Sequence, residues 1–180
     1  TLRKIVATSS TALFYGDLVA QLATGYITVG AASATTALGI FVGCRYVPTA
    51  FGYMRWSNFW PGSGQNTAAG DIDAYILDAK NLVLEVQSTG SAALAIADIG
   101  INIDLSSSSG NVITGLSQHA VSANSIGTSS TLQFRVWAIP GVNSVGSIPP
   151  SVSANMDAGS VNNVVQVVWN DYIYNQLQGQ

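Results

Sequence analysis

Residues 38–61 constrain the fold more strongly than any other part of the chain. Their sequence, LGIFVGCRYVPTAFGYMRWSNFWP, predicts two strands joined by a turn at residues 47–52. Alternate side chains of a strand point to opposite faces, and large apolar residues occupy both sets of alternate positions here. We therefore expect both faces of this hairpin to be covered, either by another layer of the chain or by another subunit.

The composition favours β-structure and contacts between neutral surfaces. Of the 180 residues 8% are charged, against about 25% in typical soluble domains, while 48% are hydrophobic and 18 are glycine. Neutral surfaces can pack against other chains without desolvating ions. The net charge of −3 and the six scattered basic residues provide no basic stripe for nucleic acid. We expect one domain that assembles with other copies and binds no nucleic acid.

The single cysteine, Cys44, lies in the middle of a strand pattern. One cysteine excludes both an internal disulfide and a metal cage built from cysteines. Cys44 is therefore expected to be a small buried hydrophobic residue.

The apolar segments are too short for a signal peptide or a membrane span. The run at residues 5–7 stops at four hydroxyl residues, and Asp17 and Gln21 interrupt the apolar window of residues 13–43. We expect a chain that is made in the cytoplasm and has no membrane contact.

Turn signals recur every eight to twelve residues, which is typical of a sandwich or a barrel. The predicted fold is all-β, a single-domain antiparallel sandwich or barrel with long loops and at most one short helix, at residues 91–98. Residues 1–11 are expected to form an extended N-terminal arm, either frayed or crossing onto a neighbouring subunit. Residues 12–180 form the β domain, with an irregular loop at 141–160.

Several strands are predicted from alternation. Residues 72–77 and 82–86 are expected to form a hairpin, and weaker strands are expected near residues 112–113 and 119–121. In the strand at residues 131–139, Leu132, Phe134, Val136 and Ala138 are predicted to point inward. Gln133, Arg135 and Trp137 are predicted to point outward.

The titratable residues do not form a recognisable catalytic pattern. His119 is the one histidine, and no serine lies in a nucleophile-elbow sequence. Asp71 and Asp73 share a face if they begin a strand, but calcium loops need a denser series of oxygen ligands. We predict that His119 is a surface or loop residue, that the two aspartates form a polar strand start, and that the protein is not an enzyme and has no metal or cofactor.

Aromatic residues are a stronger indication of function, since Trp and Tyr are common both in sugar-stacking platforms and in subunit interfaces. Trp137 lies on the polar face of its strand and Tyr174 lies near a terminus, and both positions are typical of an interface. The interface candidates are Arg3, Lys4, Trp60, Trp137, Ile148, Met156, Tyr172 and Tyr174.

A series of short motifs resembles the head-decoration (cement, capsid-stabilising) proteins of tailed bacteriophages, in their small all-β group. The most telling motifs are GDLV at residues 16–19 and GIFVGCRY at residues 39–46. The likeness covers most of the chain and also includes NFWP (58–61), IDAY (72–75), LEVQ (84–87), QFRV (133–136) and the closing residues 161–174.

The resemblance implies a protein that binds the outer surface of an icosahedral phage capsid and staples neighbouring major capsid proteins. It implies a homotrimer first and a homodimer second, located on the virion, with no catalytic residues. The N-terminal arm and the loop at 141–160 are then candidates for capsid contact. Two other functions remain open: a carbohydrate- or receptor-binding β-sandwich that uses exposed Trp or Tyr such as Trp60 and Trp137, and a hydrolase that uses His119 with Asp71 or Asp73.

Overall fold

The computed structural model describes residues 1–33, 37–62, 72–140 and 159–171. In these residues the chain is all-β, as predicted, and the short helix is a single 3-10 turn at Ile96–Asp98. The strands are β1 (Leu2–Ile5), β2 (Leu18–Gln21), β3 (Ile27–Val29), β4 (Ala37–Tyr46), β5 (Arg55–Ser57), β6 (Ile72–Leu77), β7 (Leu84–Thr89), β8 (Asn102–Ser106), β9 (Ala120–Gly127), β10 (Phe134–Ala138) and β11 (Val164–Trp169).

The first half of the chain forms an antiparallel sheet in the order β1-β6-β4-β2-β3, and β5 pairs with β4 in addition. β4 is the longest strand and pairs with β6, β2 and β5. Its residues Leu38, Phe41 and Cys44 are fully buried in the core of this sheet, so the prediction for Cys44 is confirmed.

The second half forms a closed five-stranded barrel in the order β10-β11-β7-β9-β8. All of its ladders are antiparallel except the one between β7 and β9. The barrel core also contains Leu18 and Ala37 of the first sheet, with Ile40 packed against it. β4 therefore buries residues on both faces over its first half, because the sheet core lies on one side and the barrel on the other.

The outward and inward residues of β10 agree with the sequence prediction, whereas Gln133, which precedes β10, does not. Arg135 and Trp137 are exposed, and Phe134 and Val136 are buried. Gln133 is fully buried, because its Nε2 donates a hydrogen bond to the carbonyl of Ala31, 2.7 Å away, in the first sheet's connecting segment.

The hairpin predicted for residues 72–77 and 82–86 is wrong. β6 is already paired on both edges, with β1 on one side and β4 on the other, so it has no edge left for β7. β7 instead joins the barrel, and residues 78–83 connect the two halves of the fold.

The strand predicted near Val112 and Ile113 is also wrong, whereas the one near residues 119–121 exists as the start of β9. The side chain of Asn111 accepts hydrogen bonds from the backbone N–H groups of Ile113 and Thr114. Such a side-chain bond stabilises a turn in competition with a strand ladder.

Residues 1–11 were expected to form an extended arm, but four of them are β1, at the edge of the chain's own sheet. Ile5 is fully buried, and the N-terminal amine donates a hydrogen bond to the carbonyl of Ile76. Most of the predicted irregular loop, residues 141–158, lies outside the described residues. In the described part of the chain, no helix has the length and apolar character needed to span a membrane.

Candidate interaction surface

The hairpin formed by β4 and β5 carries an exposed cluster of apolar side chains. The turn between the strands is held by Pro48, whose carbonyl accepts hydrogen bonds from the backbone N–H groups of Phe51 and Gly52. Gly52 has a φ of 68°, in the left-handed region that glycine adopts without steric cost. We call the side chains of Phe51, Tyr53, Met54 and Trp56, which are between 51% and 62% exposed, the hairpin cluster.

Neighbouring aromatic and cationic groups hold the hairpin cluster in place. The ring centres of Phe51 and Tyr53 lie 5.9 Å apart, and the guanidinium carbon of Arg55 lies 5.0 Å from the centre of the Phe51 ring. Aromatic pairs and cation–π contacts of this geometry are each attractive. The cluster is thus arranged before any partner binds, which lowers the entropy cost of association.

Trp56 is positioned by a glycine in the central strand. A Cβ built on Gly43 would lie 2.7 Å from Cζ2 of Trp56, closer than real Cβ contacts allow. Gly43 also has a φ of 141° and lies at a register shift between β4 and β6. The indole therefore covers the backbone of β4 at a position where no other residue type fits.

A row of four paired residues, which ends at Trp56, crosses the outer face of the sheet. Lys4 pairs with Asp73, Asp73 with Arg45, and Arg45 with Trp56, so one residue each from β1, β6, β4 and β5 lie side by side. The Asp73 carboxylate accepts hydrogen bonds from Lys4 and from Arg45, whose Nη2 is 2.6 Å away. We call Lys4, Asp73 and Arg45 the charged row.

The charged row leaves this face positive. The hydrogen bonds from Lys4 and then Arg45 hold the pKa of Asp73 below its ordinary value, so the carboxylate is ionised at neutral pH. The same pairing with Asp73 raises the pKa of Arg45. One carboxylate stands between two cations, Lys4 and Arg45, on this face. Arg55 pairs with Tyr46 and, as the neighbour of Trp56 in β5, points to the other face. This face therefore suits a partner surface that is both apolar and acidic.

Of the interface candidates from the sequence, Lys4 belongs to this surface. Arg3, its neighbour in β1, is on the opposite face of the strand, with a guanidinium nitrogen 4.0 Å from the Asp78 carboxylate. Trp137 is 59% exposed, but it is on the outer face of the barrel. Four candidates lie outside the described residues, namely Ile148, Met156, Tyr172 and Tyr174, as does Asp71.

The assignment of Trp60 to an interface is wrong, because this side chain is fully buried in the sheet core. Its backbone pairs with Leu13, and its ring meets Tyr46 edge-on with ring centres 5.0 Å apart. Phe51, Tyr53 and Met54 were not among the interface candidates expected from the sequence. Their position in or just after the predicted turn of the hairpin, beyond the paired strand residues, could have identified them as exposed.

His119 was predicted to be a surface or loop residue. It lies in the loop before β9, but its side chain is buried between the sheet and the barrel and not at the surface. Its Nδ1 accepts a hydrogen bond from the backbone N–H of Leu18, 3.1 Å away. In the neutral ring the proton is therefore on Nε2, which lies 3.6 Å from the Asp17 carboxylate. Burial lowers the pKa of His119, and Asp17 opposes that shift.

The group of Ser117, His119 and Asp17 does not have the geometry of a catalytic triad. Ser117 Oγ donates its hydrogen bond to Asp17 and not to the imidazole, so the histidine is not placed to remove that proton. Ser117 Oγ also accepts a hydrogen bond from the backbone N–H of His119. These contacts join the two halves of the fold. Within the described ranges, no three His, Cys, Asp or Glu side chains are grouped so as to hold a metal ion.

Comparisons of the chain with protein-family models, with curated proteins and with solved structures found no match.

Proposed function

We propose that this chain is a structural virion protein, a cement or decoration protein that binds the outer surface of an icosahedral phage capsid and staples neighbouring major capsid proteins. The observation that carries this proposal is the hairpin cluster beside the charged row. Together they form an exposed apolar and cationic face with pre-arranged side chains. The resemblance to head-decoration proteins supplies the identity of the partner.

The chemistry of this face suits attachment to another protein. Interface centres are enriched in Tyr, Trp, Phe, Met and Arg, and all five occur here, in residues 45–56. A specific interface needs about 800 Å² from each partner. We expect acidic residues on the shell opposite Lys4 and Arg45, with Trp56 in an apolar pocket.

Self-association is part of the proposal, with a homotrimer as the first expectation and a homodimer as the second. Linked copies that bind several shell subunits at once gain avidity without any new kind of contact. Trp137, exposed on the barrel and away from the hairpin in sequence, is the candidate for contacts between copies. Sedimentation equilibrium of the purified chain and of Trp137→Ser measures this association directly.

The first test is whether the chain travels with a megadalton particle through a density gradient of its native source. We expect a fixed, near-stoichiometric ratio to the main shell protein. Migration as a small free oligomer, with intact particles lacking the chain, would contradict the proposed function.

The second test assigns the surface. Purified Phe51→Ser/Trp56→Ser protein is added to particles that lack the chain, and bound protein is measured after sedimentation. We expect binding to fall at least about tenfold, since two central aromatic anchors are removed. Ile96→Ser is the matched control, because Ile96 is 61% exposed on the barrel. If the hairpin variant lost no more particle binding than the Ile96→Ser control, the hairpin would not be the attachment surface.

A carbohydrate- or receptor-binding module is the second candidate function, and the exposure of Trp137 on a strand supports it. Such a ring can stack against the apolar face of a sugar. Glycan-array binding that is abolished by Trp137→Ser and retained by Phe51→Ser would favour this function. Trp60, which we also expected in this role, is buried and cannot contact a ligand.

A further inference from the structure

The seam between β7 and β9 is one of the two shortest junctions in the barrel, the other being the seam between β8 and β10. The two strands pair through Ser88 with Val121 and through Thr89 with Ser122. The same parallel register, continued toward the N-terminus, would place Val86 beside His119. The described ladder does not extend that far.

The reason for the short seam is that residues 115–119 are bonded to the first sheet. The backbone N–H of Tyr15 donates to the carbonyl of Gly115, and that of Ser117 donates to the carbonyl of Tyr15. The ring of His119 accepts the bond from Leu18. The segment that would extend β9 along β7 is therefore held on the other half of the fold, and the wall of the barrel opens.

A cavity of about 300 Å³ lies in this opening. Its walls are apolar: Leu18 and Ile40 from the first sheet, and Leu105, Val121, Phe134 and Val167 from the barrel. Protein interiors are close-packed, and voids larger than a water molecule are few. The volume is about twice that of an engineered apolar cavity that binds benzene.

The rim of the cavity determines the charge of a ligand. Glu85 and Gln87 line it from β7 and are exposed, and Gln87 Nε2 donates a hydrogen bond to the carbonyl of Asn162, 3.2 Å away, on the β11 side of β7. His119 lines it from the opposite side, and it is neutral at physiological pH because burial lowers its pKa. A ligand with a carboxylate or sulfonate would be repelled by the negative charge of Glu85, and no Lys or Arg among the described lining residues would offset that repulsion.

We propose that this cavity, which we call the seam cavity, binds a small neutral molecule that is mainly aromatic or aliphatic, of the size of two or three rings, with its polar end at the rim formed by β7. The walls bury the apolar part, and the polar rim orients the other end, which is the usual arrangement of a small-molecule site. This site is separate from the hairpin cluster and does not depend on the proposed function.

The test uses two fluorescent probes that share a ring system and differ in charge. N-phenylnaphthylamine is neutral, and anilinonaphthalene sulfonate is anionic. We expect the full chain to bind the neutral probe saturably, with one molecule per chain, and to bind the anionic probe at least about tenfold more weakly. Glu85→Gln should reduce the difference in affinity between the neutral and the anionic probe. Equal affinity for the two probes, or no saturable binding of the neutral one, would overturn the proposal.

Val86→Trp should weaken binding of the neutral probe at least about tenfold, because the larger side chain fills the cavity. Val83→Trp is the matched control, since Val83 is exposed and is not among the lining residues. Phe51→Ser/Trp56→Ser should leave binding unchanged, and a loss in that variant would assign the probe to the hairpin cluster and overturn the proposal.

A measurement on the unmodified chain covers the case in which Val86→Trp does not fold. In methyl NMR spectra, the neutral probe should shift the signals of Leu105 and Val167 and leave those of Val83 in place. Unshifted signals from Leu105 and Val167 at saturation would place the probe elsewhere and contradict the seam cavity as its site.

Discussion

Cζ2 of Trp56 lies 2.7 Å from the point where a Cβ of Gly43 would stand, so the exposed indole of β5 occupies the space of a missing side chain in β4. The outer face of β4 at this position is covered by a single aromatic ring. The sequence alone led us to expect full coverage by another layer or subunit. One element of the proposed attachment surface is thereby fixed to β4, the longest strand of the sheet.

This contact predicts a large cost for Gly43→Ala. The new Cβ clashes with Trp56, and the alanine must adopt a φ of 141°, which is strained for any residue with a side chain. We therefore expect the free energy of unfolding, measured in urea, to fall by about 2–4 kcal/mol. Gly52→Ala is the control, because it has a φ of 68° and open space around its Cβ, and it should cost about 1–2 kcal/mol. In a Trp56→Ala background the cost of Gly43→Ala should fall. An unchanged cost there would show that the indole is not the cause.

The charged row predicts acid sensitivity below pH 4. The pKa of Asp73 in the folded protein is below its ordinary value of 3.8, so this carboxylate stabilises the fold at higher pH. That contribution is lost as the pH falls through 3.8 toward the folded-state pKa. Asp73→Asn should cost about 1 kcal/mol at pH 7 and much less at pH 2.5, measured by urea unfolding at each pH. A cost that does not change with pH would contradict the ion pairing. Asp78→Asn is the control, because the Asp78 carboxylate lies 3.6 Å from the N-terminal amine, farther than Asp73 lies from its hydrogen-bonded cations.

Burial of His119 predicts a second, separate pH effect. Because its folded-state pKa is below 6.5, the unfolded chain binds a proton more readily, and stability falls as the pH drops below 6.5. His119 is the chain's one histidine, so its NMR titration is read without assignment, and its midpoint should lie below 6.5. His119→Gln should flatten the stability profile between pH 7 and pH 5.5. A midpoint above 6.5 would mean that Asp17 outweighs burial.

Cys44 should be inert in the folded protein. Burial raises the pKa of its thiol to about 12, so the reactive thiolate is scarce at pH 8. We expect an aromatic disulfide reagent to label Cys44 at pH 8 no faster than the chain unfolds, and to label it at once in guanidinium chloride. Rapid labelling of the folded chain would show that the sheet core opens at β4.

Local patterns predicted much of the fold, and the failures have a common cause. Alternation in residues 134–138 gave the correct buried and exposed faces, and the position of Cys44 in a strand gave its burial. Trp56 and Trp60 have the same parity, yet one is exposed and the other is fully buried. The strand ends at Ser57, and the pairing of Trp60 with Leu13 turns the second indole into the core.

The candidate site was accessible to sequence reasoning only in part. Lys4 and the aromatic hairpin were recognised separately, but the row from Lys4 through Asp73 and Arg45 to Trp56 joins four strands that are distant in sequence. His119 was expected to be a surface or loop residue, and its burial was missed because nothing near it in sequence shows that Leu18, 101 residues away, donates a hydrogen bond to its ring.

The sequence by itself determined that the chain is all-β, where most of its strands lie and, where alternation is clear as in residues 134–138, which side chains point inward, because these properties depend on neighbours two residues apart. The tertiary structure decided which strands pair, and therefore that β6 and β7 separate, that the charged row forms, and that the barrel opens beside β7. These outcomes depend on which strand edges remain free after the long-range contacts have formed, and spacing along the chain does not encode that competition.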